Sequence, residues 1–83
     1  MQDKKIILQK TVAKIIKKHR NKSITQLCYE TDLSKSIWSV LEKGEKDIQL
    51  STFWKIAEAL ELKPSILVAQ IEKELGDEFS FIE

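Results

Sequence analysis

The chain has 83 residues, 42% of them hydrophobic, enough for one small domain with a core and too few for two. A single cysteine, Cys28, and a single histidine, His19, exclude an intrachain disulfide framework and a Cys/His metal site, so neither metal nor cofactor is expected. Net charge is +1 but uneven: residues 1–22 carry eight positive charges against one negative, 23–50 three against five, and 51–83 three against seven, so one end would attract phosphate and the other repel it, unless both are ordinary solvated helix faces.

The first predicted helix covers residues 4–19, where Leu8, Val12, Ile15, Ile16 and His19 recur at spacings of three and four and share one face. Asn21 and Lys22 break it. Ser23 then reads as an N-cap with Gln26 three residues on, a capping-box pattern, opening a second helix over 24–31 that buries Leu27, Cys28 and Ile24. Asp32-Leu33 is a turn and Ser34 a second N-cap. The third helix, 35–43, buries Trp38 and Leu41 and stops at Gly44, which takes positive φ without penalty. After a polar loop over 45–49, the fourth helix starts at 50 or 51 and runs to 60, with Phe53, Ile56, Ala57 and Leu60 on one stripe. Trp54 lies beside that stripe, as half-buried core or as an interface aromatic. Leu62 and Pro64 mark the next break, and Ser65 is expected to cap a fifth helix that ends at Gly76 and turns Ile66, Leu67, Ile71 and Leu75 to one side. In the tail, 78–82 alternates as a strand would but is too short to count as one. The expected fold is all-α, with five helices and a short C-terminal tail. Residues 1–64 form the core unit, and 65–83 cover that core or serve dimerisation, within a single domain.

Two short capped helices joined by a tight turn fit a helix-turn-helix unit. The first helix must pack closely on the second, so a small residue is needed at the crossing, and Cys28 supplies it directly after Leu27. Leu33, Trp38 and Leu41 point inward, so the residues between them face out.

Ser23-Ile24-Thr25-Gln26-Leu27-Cys28-Tyr29-Glu30-Thr31-Asp32-Leu33-Ser34, together with Glu42-x-Gly44 and Ile56-Ala57-x-Ala59-Leu60, resembles the lambda-repressor/Cro (XRE) family over about residues 10–65. Each element alone is weak; the joint spacing is specific. Cys28 stands where the family has alanine and Asp32 where it has the turn glycine, and Asp tolerates left-handed backbone better than most residues. Ile24 replaces a phosphate-touching glutamine. Thr25-Gln26 resembles a common family dipeptide but sits two residues late, and the proline often found at the position of Ile48 is missing.

The resemblance implies a sequence-specific transcription regulator, a repressor by expectation, acting as a homodimer on double-stranded DNA with its third helix in the major groove. The matching base-reading positions are Lys35, Ser36, Ile37, Ser39 and Val40. Lys35 could donate to guanine, Ser36 and Ser39 to bases or phosphate, and Ile37 and Val40 could touch a thymine methyl. Phosphate contacts are expected from Ser23, Thr25 and Ser34 at the helix starts and from Lys43 and Lys46, diluted by Glu45 and Asp47. From the first helix, Lys17 or Arg20 could add to these, or Lys17 could pair with Glu42. Trp54, Ile66, Ile71, Phe79 and Phe81 are the expected dimerisation residues.

The alternative is a protein-interaction module, an antitoxin or accessory subunit, that binds a protein partner through the C-terminal helix and tail. An enzyme is not expected: Cys28 with His19 could be imagined as nucleophile and base, but Cys28 holds a packing position and no orienting group is evident. The apolar runs fall far short of the roughly 18 residues of a membrane span. The charged N-terminus lacks a leader's apolar stretch, so a cytoplasmic protein with no membrane contact is expected.

Overall fold

Helix starts in this chain are set by side chains that accept otherwise orphaned backbone N–H groups. The computed structural model, which describes residues 3–82, has five helices: α1 (Lys4–His19), α2 (Ile24–Thr31), α3 (Lys35–Lys43), α4 (Leu50–Ala59) and α5 (Pro64–Leu75). Met1, Gln2 and Glu83, which close the expected domain bounds, lie outside the described residues. Asp3 accepts from Lys5 N at 2.9 Å, Ser23 from Gln26 N at 3.1 Å and Ser34 from Ile37 N at 3.2 Å. Only half of the capping box forms at Ser23, because the Gln26 amide donates instead to Glu30 at 3.1 Å.

Three of the helix ends rely on left-handed backbone. Asp32 (φ 60°) closes α2 as expected, Gly44 (φ 72°) closes α3, and Glu61 (φ 62°) lies just past α4. After α3, Gly44 N donates to Leu41 O and Glu45 N to Val40 O, both at 3.1 Å, and after α4, Glu61 N and Leu62 N do the same for Glu58 O and Ala57 O. Both pairs follow the 5→2 and 6→1 pattern of a Schellman motif, which satisfies the last carbonyls.

The expected cap at Ser65 is not made. Lys63 precedes the helix without a side-chain cap bond and Pro64 is its first residue, a position where the missing N–H costs nothing. Residues 77–82 form turns and bends rather than a strand.

The helices close into a ring in which α1 packs on α3 and α5, α2 on α3 and α4, and α4 on α5. Each helix contributes one large side chain with no exposure at all to the centre of that ring: Ile16, Leu27, Trp38, Ile56 and Leu67. Burying each of these contributes about 1.5–3 kcal/mol. Val12, Ile15, Leu41, Phe53, Ala57, Ala59, Leu60 and Ile71 complete the core, with Leu8, Ile24, Cys28 and Leu33 packed at its margin. Ile71 therefore departs from its expected role. At 6% exposure its apolar surface lies almost wholly inside the subunit and has little to offer a partner.

Among the described residues, Thr31 is the one buried polar side chain. Its hydroxyl donates to Leu27 O at 2.6 Å and accepts from Leu33 N and from Trp38 Nε1, each at 3.3 Å. One donor and two acceptor sites are all in use.

Two outcomes follow for stability. Thr31→Val keeps the branched shape but strands the indole N–H and the Leu33 amide in a dry site, which should cost about 1–3 kcal/mol. Urea unfolding should show the midpoint falling at constant m-value, with Thr31→Ser retaining more of the wild-type stability. Gly44→Ala should lose at least the ~1–2 kcal/mol of a left-handed non-glycine residue, because the new Cβ would also lie 2.9 Å from Lys10 Cα. A melting temperature unchanged in Gly44→Ala would rule out this crossing as drawn.

Candidate nucleic-acid interface

Trp38 and Leu41, fully buried, fix the rotation of α3 about its own axis. With that rotation set, helical spacing turns Lys35, Ser36, Ser39 and Lys43 outward, and all four are exposed. Ile37 and Val40 are half-buried, so each shows only part of its apolar surface. Together with Ser36, Glu45 and Lys46 they line a shallow depression beside the helix. The five expected base-reading residues thus occupy one short helix, Lys35, Ser36 and Ser39 fully presented and Ile37 and Val40 partly so.

The expected phosphate-side residues Ser23, Thr25, Ser34, Lys43 and Lys46 are all exposed. Ser23 and Ser34 are engaged as caps through an oxygen lone pair, which leaves each hydroxyl hydrogen free to donate outward.

Electrostatics differ from the expectation drawn from segment charges. Folding lays the basic first segment on acids from the other two. Lys5 pairs with Asp47 at 3.2 Å, Lys14 with Glu74, Arg20 with Glu42 at 2.9 Å and Lys22 with Glu30 at 2.9 Å. The partner of Glu42 is therefore Arg20 rather than Lys17. Arg20 Nε lies close to Glu42 Oε2, but that oxygen is buried without an aligned hydrogen bond, so the contact is an ion pair. Lys22 also donates to Ala59 O at 2.9 Å and so ties the end of α4 to the segment before α2. The hydrogen bond from Lys22 holds the Glu30 carboxyl below its ordinary pKa, and the one from Lys14 does the same for Glu74.

These pairings have a local consequence. Asp47, one of the two acids expected to weaken the basic site after α3, is neutralised by Lys5. Lys35, Lys43 and Lys46 have no carboxylate partner among the described residues, and Glu45 is the one acid of the 45–49 loop without an ion pair there.

The other site residues lie elsewhere. Trp54 is 51% exposed on α4, Ile66 is exposed on α5, and in the tail Phe79 is half-buried and Phe81 exposed, their rings edge-on at 5.5 Å. Leu50 and Val68, not singled out in the sequence, are also exposed and line one apolar groove with Phe53 and Trp54. Cys28 is half-buried against the core, and His19 Nε2 bonds Gln70 Oε1 across to α5. No helix among the described residues is long and apolar enough to cross a membrane.

The sequence carried hints of what it left unread. An arginine at the C-terminal end of α1 can reach farther than Lys17. A helix-ending threonine next to a core tryptophan supplies the acceptor that a buried indole needs.

A family model described as the Cro/C1-type HTH DNA-binding domain matches residues 11–69, a span that begins within α1 and ends within α5. Comparison with curated proteins and with solved structures finds no match. With more than half of its length matched and with α2, the Asp32 turn and α3 at the centre of that match, the chain belongs to the Cro/C1-type helix-turn-helix DNA-binding domain family.

Proposed function

We propose that the protein is a sequence-specific transcription regulator, a cytoplasmic repressor, that reads the major groove with α3. The carrying observation is the division of α3 into a buried side, Trp38 and Leu41, and an exposed stripe of Lys35, Ser36 and Ser39. Lysine can donate to guanine O6 and N7, the serines to either base edges or phosphate, and Val40 with Ile37 can meet a thymine methyl. Ser23, Thr25, Ser34, Lys43 and Lys46 would hold the backbone on either side and set the register of the helix.

Pairing of two copies would match near-palindromic half-sites about 34–36 Å apart. The apolar groove of Leu50, Phe53, Trp54 and Val68 supports such pairing, since Leu50, Trp54 and Val68, at 49–71% exposure, gather in one groove and contiguous apolar surface marks interaction sites. Residues 1–64 would then serve DNA and, through Leu50, Phe53 and Trp54, share the interface with 65–83.

A second reading, a protein-interaction module that acts as an antitoxin or accessory subunit, draws on the same groove and on the exposed tail residues Phe81 and Ile82.

Selection of bound sites from random duplex DNA should return a motif with two related half-sites. Lys35→Ala should lose about 1–3 kcal/mol on that motif and relax preference at one base position per half-site. Uniform weakening with no change in preference would demote Lys35 to a phosphate contact. Absence of binding even at low salt would favour the protein-partner reading. For the pairing surface, sedimentation should give a dimer for the wild-type chain and a folded monomer for Leu50→Glu. A wild-type monomer at micromolar concentration would remove the interface from the account.

A further inference from the structure

The recognition helix ends where α1 crosses it, and the crossing carries a lysine. A Cβ on Gly44 would meet both Cα and Cγ of Lys10 at 2.9 Å, and Gln9 Nε2 donates to Gly44 O at 3.3 Å. The methylene stem of Lys10 thus runs directly past the end of α3, while the residue as a whole is exposed. A lysine that packs its stem and leaves its ammonium in water presents a positioned charge.

Four other cations of the basic segment, Lys5, Lys14, Arg20 and Lys22, are committed to carboxylates, and Lys10 has none among the described residues. The carbonyls that end α3 do not require it either. Val40 O and Leu41 O already accept from Glu45 N and Gly44 N, and Gly44 O accepts from Gln9. Since Lys5 neutralises Asp47, the crossing brings Lys10 to the segment of Lys43 and Lys46 with Glu45 as the one unpaired acid there.

We propose that Lys10 is a further DNA-phosphate contact, which acts with Lys43 and Lys46 on the strand flanking the end of α3. The proposal rests on the reading of α3 as the groove-entering helix and adds Lys10, on α1 beside the end of α3, to the phosphate-contacting residues. A phosphate is the ligand that an exposed, unpaired ammonium beside two further lysines would recognise, and the contact carries no base information.

Binding of a random-sequence DNA duplex across a salt series tests it, with wild type, Lys10→Ala, Lys35→Ala and Lys73→Ala. In Lys10→Ala the slope of log K against log salt should fall by about 0.9, the amount of one lost phosphate contact. The sites selected from random DNA should be unchanged. Lys73→Ala removes the same charge from α5, which does not pack on α3, and should keep the wild-type slope. A wild-type slope in Lys10→Ala overturns the proposal, as does a change that Lys73→Ala reproduces. A lowered melting temperature with an intact slope assigns Lys10 to the α1–α3 joint and also overturns it. If Lys35→Ala alters site selection while Lys10→Ala leaves the slope unchanged, only the Lys10 proposal falls. If wild type fails to bind DNA, the reading of α3 falls with it.

Discussion

The hydroxyl of Thr31 fixes the corner on which the outward face of α3 depends. Oγ1 joins three parts of the chain: the last turn of α2 through Leu27 O, the turn itself through Leu33 N, and α3 through Trp38 Nε1. Hydrogen bonds of this kind contribute modestly in net terms, but leaving a buried donor unmet is expensive. The indole can therefore occupy the centre of the ring only where that oxygen is within reach. Trp38 in turn sets the rotation of α3, and the rotation decides which side chains look outward. The left-handed Asp32 lets the chain reverse within two residues, and Thr31 and Trp38 then hold the reversal at one angle.

Charge works on a different scale. The ion pairs Lys5–Asp47, Lys14–Glu74 and Lys22–Glu30 are solvent-exposed to varying degrees, and pairs of that sort add little to stability. Their importance lies in the field they leave behind. They cancel much of the positive charge that the first segment would carry if it were isolated. Lys35, Lys43 and Lys46, on α3 and just after it, are among the cations without a carboxylate partner among the described residues. A formal net charge of +1 therefore says little about the potential at α3. What counts is which charges remain unpaired and on which side of the ring they lie.

Helix positions were legible because their signals are local. Ser23, Ser34 and Gly44 mark boundaries through groups within a few residues of themselves, and the bounds of α2 and α3 follow from them directly. The core stripes of α1 and α4 were legible for the same reason, since periodicity reports a face without naming what covers it. The reading failed where the deciding partner was distant in sequence. Ser65 had the chemistry of a cap, but Pro64 already favours the first helical position. Ile71 was legible as apolar and not as internal, because its burial depends on α1 and α4 closing around α5. Arg20 took the partner expected of Lys17 because α1 reaches α3 at an angle that residue spacing does not encode. Thr31 looked like an ordinary helix-ending residue, and only the arrival of Trp38 makes its oxygen structural.

The ring also separates two surfaces that a groove-reading dimer must keep apart. α3 touches α1 and α2, α5 touches α1 and α4, and α3 and α5 do not pack on each other. A partner could cover the groove formed by α4 and α5 without reaching Lys35 or Ser39. The same topology makes α1 the one helix in contact with both, through Gly44 at one crossing and through the Lys14–Glu74 pair and the His19–Gln70 bond at the other. On the proposed arrangement, any tilt of α5 in an interface would pass to α3 through α1 rather than through a flexible linker. The fit between half-site spacing and protein would then be a property of two packed helix crossings, and repacking either one would retune the operator geometry without altering a base-reading side chain.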